Sequence, residues 1–213
     1  MMSPVFKERA ANIRKILRKT YPNAKCALNF STPLELLIAT ILAAQCTDER
    51  VNIVTKSLFK KYCTAVDYAK APAEELQNDI RSTGFFRNKA RSIQKCCATI
   101  VEKHGGKVPS TIEELTQLAG VGRKTANVVL GECFGTPGII VDTHVLRLTQ
   151  RMKLSAHDDP VKVEFDLQKL VPQKDWTHFS HWMTWHGRKV CSARKPNCPR
   201  CPIAEYCPSR GQV

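Results

Sequence analysis

Long apolar runs are the first thing this sequence lacks. No stretch approaches the roughly 18–20 consecutive apolar residues needed to span a bilayer, so no association with a membrane is expected. Residues 1–20 carry no apolar signal-like segment, which leads us to expect a non-secreted protein in a reducing compartment, the cytoplasm. Strand-like alternation is also nearly missing. Only Ile139-Ile140-Val141 reads as extended, and three residues make no sheet. Gly/Ser linkers and low-complexity tails are absent, so the 213 residues form one large domain or two small ones. Acidic residues are scarce beside basic ones, 19 Asp plus Glu against 33 Lys plus Arg, leaving a net charge of +14. An excess of that size points to a polyanionic partner.

Cysteine, in contrast, is abundant and unevenly placed. Cys191, Cys198, Cys201 and Cys207 follow one another as C-x6-C-x2-C-x5-C in proline-rich loop sequence. Four thiols crowded into so short a stretch form a metal site or a disulfide knot. The other six (Cys26, Cys46, Cys63, Cys96, Cys97, Cys133) are scattered through apolar helical sequence, where reduced cysteine packs as a small hydrophobe. That distribution favours the metal. Spacing alone leaves tetrahedral zinc and a four-thiolate iron–sulfur cubane equally open.

The remaining sequence has helical periodicity. Phe6, Ala10, Ile13, Ile16 and Leu17 fall on one face. Thr32-Pro33-Leu34-Glu35 reads as a capped helix start with a stripe at Leu34, Leu37, Ile38, Ile41 and Leu42. Asp48 is expected to cap the next helix, whose stripe is Val51, Val54, Leu58 and Phe59. A helix from about 88 to 104 stops at Gly105-Gly106, and Ser110-Thr111-Ile112-Glu113 reads as a second capping box. Further helices are expected at about 123–134, 143–151, 160–171 and 177–190, so the fold class is all-α.

One repeat interrupts this regularity. Gly84-x-x-Arg87-x-x-Ala90 returns 36 residues later as Gly120-x-x-Arg123-x-x-Ala126, each copy opening a helix. Gly120 and Gly122 are expected to form a tight positive-φ turn that presents backbone N–H groups at a helix N-terminus, an arrangement suited to a DNA phosphate. A short helix, this hairpin and a second helix make a helix-hairpin-helix element. Lys124 replaces the Asn88 of the first copy, so hairpin geometry does not require it. Arg123 and the positive helix end both favour the neutral amine, one route to a lysine nucleophile. Eighteen residues on, Val141-Asp142-Thr143-His144 places an aspartate before a helix, where it serves as an N-cap and remains within reach of a ligand.

Taken together, L-x-G-V-G-R-K-T-A, then V-D-T-H, then the cysteine series resemble the endonuclease III family, DNA glycosylase/abasic-site lyases of the helix-hairpin-helix superfamily. The resemblance runs from the first helix to the last cysteine. It implies a [4Fe–4S] cluster on Cys191, Cys198, Cys201 and Cys207. It also implies two helical lobes with a cleft between them: a six-helix barrel domain with the helix-hairpin-helix at 26–136, and a cluster domain from 1–25 and 137–213. The catalytic pair falls on Lys124 and Asp142, and the partner is double-stranded DNA with damaged bases or abasic sites. The implied substrates are oxidised or ring-saturated pyrimidines, acted on by a monomer beside the nucleoid. Gln45 matches a glutamine that fills the gap left by a flipped nucleotide, and Phe85 an apolar wedge. Gly120, Gly122 and Arg123 would meet backbone phosphate, as would Arg194 and Lys195 in the basic loop between the first two cluster cysteines.

Three positions depart from the family pattern: Ala119 in place of proline, Cys46 in place of alanine, and Phe85-Phe86 in place of an aliphatic–tyrosine pair. None touches the lysine–aspartate pair. The series His178, His181, Trp182, Trp185, His186 sits at helical spacing and reads as a packed face beside the cluster. A sister glycosylase for mismatched adenine or thymine would generally lack Lys124. A non-catalytic DNA-binding protein with a zinc staple would form no covalent imine with DNA, and an electron-transfer protein would have no use for the hairpin.

Overall fold

The structure, a computed structural model, describes residues 4–212. Its helices are α1 (Pro4–Thr20), α2 (Pro33–Leu42), α3 (Asp48–Lys61), α4 (Ala65–Lys70), α5 (Ala73–Asp79) and α6 (Phe86–His104). They are followed by α7 (Ile112–Thr116), α8 (Arg123–Cys133), α9 (Thr143–Arg151), α10 (Pro160–Leu170) and α11 (Trp176–Lys189). Among the described residues there is no strand, and Ile139-Ile140-Val141 is irregular. No described helix is long and apolar enough to cross a membrane. Two compact units are present, one of residues 26–135 and one of the flanking segments on either side of it.

Short polar residues set the helix starts. The Thr32 hydroxyl accepts the Glu35 N–H at 3.2 Å, while the Glu35 carboxylate reaches back to the Ser31 N–H. Two caps lie one residue from where the sequence places them. Thr47, not Asp48, caps α3 by accepting from the Arg50 N–H, and Asp48 is the first helical residue. Thr111, not Ser110, caps α7, with Glu114 as its partner in place of Glu113. In each case the threonine holds the extended backbone an N-cap requires. Helices α4 and α5 are too short to show a period. A Thr64–Asp67 capping box starts α4, and Pro72 precedes α5.

The 26–135 unit is built around α2, which buries Leu36, Leu37, Ile38, Ala39, Ile41 and Leu42 and leaves Leu34 half-buried. It packs against α3, α6 and α8, while α4 and α5 lie on α6. Cys96 and Cys97 are buried here as small apolar groups; Cys63, expected to pack likewise, is exposed just past α3. In the other unit α11 packs on α1 and α9, with Ile13, Leu17, Val145, Leu148, Val163, Phe179 and Met183 in its core. The partly buried Arg14–Asp175 ion pair ties α1 to the turn preceding α11.

Candidate active site and cysteine centre

Both hairpins lie in the 26–135 unit. In the second, Gly120 has a φ of +78°, and a Cβ there would stand 2.9 Å from the Ser92 Cβ. Glycine is therefore required twice over, by conformation and by space. Gly122 differs from the expected turn geometry: its φ of −91° is ordinary extended backbone, and it serves as the N-cap of α8. It makes no side-chain cap bond, and a Cβ there would meet nothing. Without a side chain at this position the N-terminus of α8 is open to close approach, with the positive helix end behind it. Arg123 is half-buried, and Lys124 stands exposed as the second residue of α8.

The first hairpin is more strained. Gly84 has a φ of +71°, and Phe85 follows at +47° while serving as the N-cap of α6. Phe85 is 64 % exposed, so it is not a core residue. Gln45, exposed in the α2–α3 loop, also has positive φ, at +52°. Among the described non-glycine residues only Gln45, Phe85 and Lys153 are left-handed. Two of these three are the residues that the sequence resemblance matches to a gap filler and a wedge.

Asp142 and the four clustered cysteines belong to the other unit. Half-buried Asp142 caps α9, its Oδ1 accepting the Val145 N–H at 2.7 Å. Its second oxygen, Oδ2, accepts the Thr184 hydroxyl at 3.0 Å from α11. An ionised carboxylate offers about four acceptor positions, so this aspartate is fixed in orientation and still able to accept. Nothing in the sequence points to Thr184, since 42 residues separate the partners. Next to Asp142, burial holds the His144 imidazole below its ordinary range, with Asp142 opposing and Arg147 assisting.

Cys191, Cys198, Cys201 and Cys207 line one cavity, together with Arg151 and His186. A single tetrahedral ion with Zn–S bonds of about 2.3 Å would hold its sulfurs only about 3.8 Å apart. No three His, Cys, Asp or Glu side chains among the described residues converge so as to hold one ion. The four thiols share one cavity, a donor set suited to a thiolate-bound metal centre. Burial pushes the Cys201 thiol up to about 11 and raises Cys207 as well, so a metal must displace these protons to bind.

Groups around the cavity hold its walls. Arg151 donates to the Cys191 Sγ at 3.2 Å and to the carbonyls of Ser192 and Ala193 at 2.8 Å. One turn earlier on α9, Arg147 donates to the carbonyls of Gly187 and Cys191. Fully buried His186 lies 3.5 Å from the Cys201 Sγ and 2.9 Å from the Tyr21 hydroxyl, and desolvation drives its imidazole down to about 4. Of the series expected to form a packed face, Trp182 and His186 are buried and His181 and Trp185 half-buried, whereas His178 is exposed and stacks on Trp182. Arg194 and Lys195 are exposed in the loop that Arg151 grips.

Comparisons with known proteins agree with this arrangement. Residues 38–173 match the family described as HhH-GPD superfamily base excision DNA repair protein, and residues 191–207 match the iron-sulfur binding domain of endonuclease III. A protein of Synechocystis sp. named endonuclease III is 54 % identical over 204 residues, covering 95 % of this chain and 93 % of its own. A solved structure of a non-covalent endonuclease III–DNA complex superposes with a TM-score of 0.94 at 46 % identity, covering 100 % of this chain and 98 % of that one. A trapped endonuclease III–DNA covalent intermediate matches with the same TM-score and identity, covering 100 % and 99 %.

Proposed function

The chain belongs to the endonuclease III family of helix-hairpin-helix base-excision DNA repair enzymes, and from that premise we propose which residues release a damaged base and cut the strand. It is a DNA glycosylase and abasic-site lyase that holds a [4Fe–4S] cluster. The observation that carries the assignment is Lys124, exposed at the start of α8 where the first hairpin has Asn88.

The neutral Lys124 amine attacks C1′ of a flipped-out nucleotide. The Nζ–C1′ bond forms as the glycosidic bond breaks, and the base leaves with a proton. Opening of the C1′–O4′ ring bond, with a proton passing from Nζ to O4′, turns this adduct into an imine, which acidifies the C2′ proton. Its removal expels the 3′ phosphate by β-elimination, and water then releases the lysine. Asp142, held by Val145 and Thr184, stabilises positive charge developing on the sugar and assists the proton transfers. The cluster, when bound, supplies a rigid staple for the loop bearing Arg194 and Lys195. Cys191, Cys198, Cys201 and Cys207 are its ligands.

Gln45 and Phe85 act as gap filler and wedge. The turn at Gly120 and Gly122, with Arg123 at the start of α8, takes a backbone phosphate at the positive helix end. We assign these DNA-probing parts to a domain at 26–136, and the cluster to a domain from 1–25 and 137–213. The substrates are oxidised or ring-saturated pyrimidines in duplex DNA, met by a monomer in the cytoplasm at the nucleoid.

Borohydride trapping on a duplex containing thymine glycol tests the mechanism. The wild type is expected to give a covalent protein–DNA adduct and Lys124→Ala none. A wild-type protein that binds this DNA without forming an adduct would overturn the lysine mechanism.

A further inference from the structure

The two strained DNA-probing residues share a support that the mechanism above does not use. Lys89, on the first turn of α6, is only 5 % exposed. Its Nζ donates to the Leu42 carbonyl and to the Thr83 carbonyl, both at 2.8 Å. Leu42 ends α2 and leads into the loop carrying Gln45. Thr83 ends the 3-10 turn ahead of Gly84 and Phe85. The Lys89 backbone N–H meanwhile donates to the Phe85 carbonyl at 3.0 Å. One residue therefore holds the Phe85 tip from both sides and ties it to the Gln45 loop.

Hairpin geometry does not demand this lysine. The equivalent position in the second copy, 36 residues on, is Thr125. Nor is a buried ammonium favourable in itself: desolvation works against its charged form. Charge-assisted bonds to two carbonyls offset that cost, and those carbonyls lie just ahead of the left-handed residues Gln45 and Phe85. A carbonyl pair bridged by one rigid cation keeps both loops in a fixed register without any contact between their side chains.

We propose that Lys89 is a positioning residue that sets Gln45 and Phe85 together as one duplex-opening device. The inference rests on the assignment of Gln45 and Phe85 to DNA probing. It predicts a split between substrates. Opening a duplex needs both loops, whereas a single-stranded abasic site offers no stack to open and needs neither.

The test compares Lys89→Met with Gln45→Ala, Phe85→Ala and wild type on two substrates: a thymine glycol duplex and single-stranded abasic-site DNA. The expected result is a loss of about 10- to 100-fold in duplex excision, with borohydride trapping on the single strand retained. Lys89→Arg, which keeps donors for both carbonyls, is expected to recover part of the duplex activity. Should Lys89→Met not fold, Lys89→Gln, which keeps one donor, is read on the same two substrates. Equal losses on both substrates would overturn the inference in favour of a general structural role. Full duplex activity in Lys89→Met, with Gln45→Ala and Phe85→Ala impaired, would overturn it while leaving the loop assignment standing. If Gln45→Ala and Phe85→Ala are both fully active on the duplex, the loop assignment fails and the inference with it.

Discussion

At the scale of single residues, the proposed catalytic aspartate is held by a side chain far from it in sequence. Asp142 takes one hydrogen bond from its own helix and one from Thr184. Removing a hydrogen bond to a charged group costs about 1.5–3 kcal/mol. Thr184→Val is therefore expected to slow single-turnover base release by about ten- to a hundredfold, and Thr184→Ser to restore it. A Thr184→Val protein that releases base at the wild-type rate would show that the second hydrogen bond is dispensable. The proposed pair Lys124 and Asp142 can be picked out from the sequence because each sits in a short local motif. Thr184 and Lys89 cannot, because Thr184 meets Asp142 across 42 residues and Lys89 meets Leu42 across 47, separations that only the packing of helices closes.

At the scale of elements, the two glycines of the second hairpin do different work. Gly120→Ala forces a side chain into left-handed backbone and against Ser92. A cost of at least about 1–2 kcal/mol is expected from the backbone alone, read as a lowered melting temperature. Gly122 has extended backbone and open space around it. Gly122→Ala is thus expected to lower the melting temperature less than Gly120→Ala, losing only N-cap preference, while binding duplex DNA more weakly, as filter binding at low salt would show. Unchanged affinity would remove the close phosphate approach at this amide. Sequence periodicity locates the long helices well, since their apolar faces repeat over several turns. Cap choice between adjacent residues, Thr47 against Asp48 and Ser110 against Thr111, is not legible from residue type, because it depends on which backbone is extended. Phe85 is equally ambiguous as an isolated aromatic; its exposure and positive φ decide against core packing.

At the scale of the whole molecule, a charge of +14 makes DNA binding strongly dependent on salt. Replacing Arg194 and Lys195 together with alanine is expected to flatten the slope of log affinity against log salt by about two units. An unchanged slope would mean that the loop meets no phosphate. The cluster unit is held by bonds from Arg147 and Arg151 on α9 to the cysteine loop. Removing the iron is therefore expected to lower amide-exchange protection in α9 and α11 while α2, α6 and α8 keep theirs. Loss of protection throughout would show that the 26–135 unit depends on the cluster.

The chain order of these units also bears on synthesis. The 26–135 unit is contiguous, and everything it packs is translated in one stretch. Helix α1 comes first but packs against α10, α11 and the turn at Ala204–Tyr206 near the last cysteine. On the ribosome, α1 must wait, its apolar face uncovered, until that distant turn has been made. A nascent chain stalled just before α11, with the residues beyond 135 filling the ribosomal tunnel, should thus yield a protease-resistant fragment of about 26–135, with α1 cleaved away.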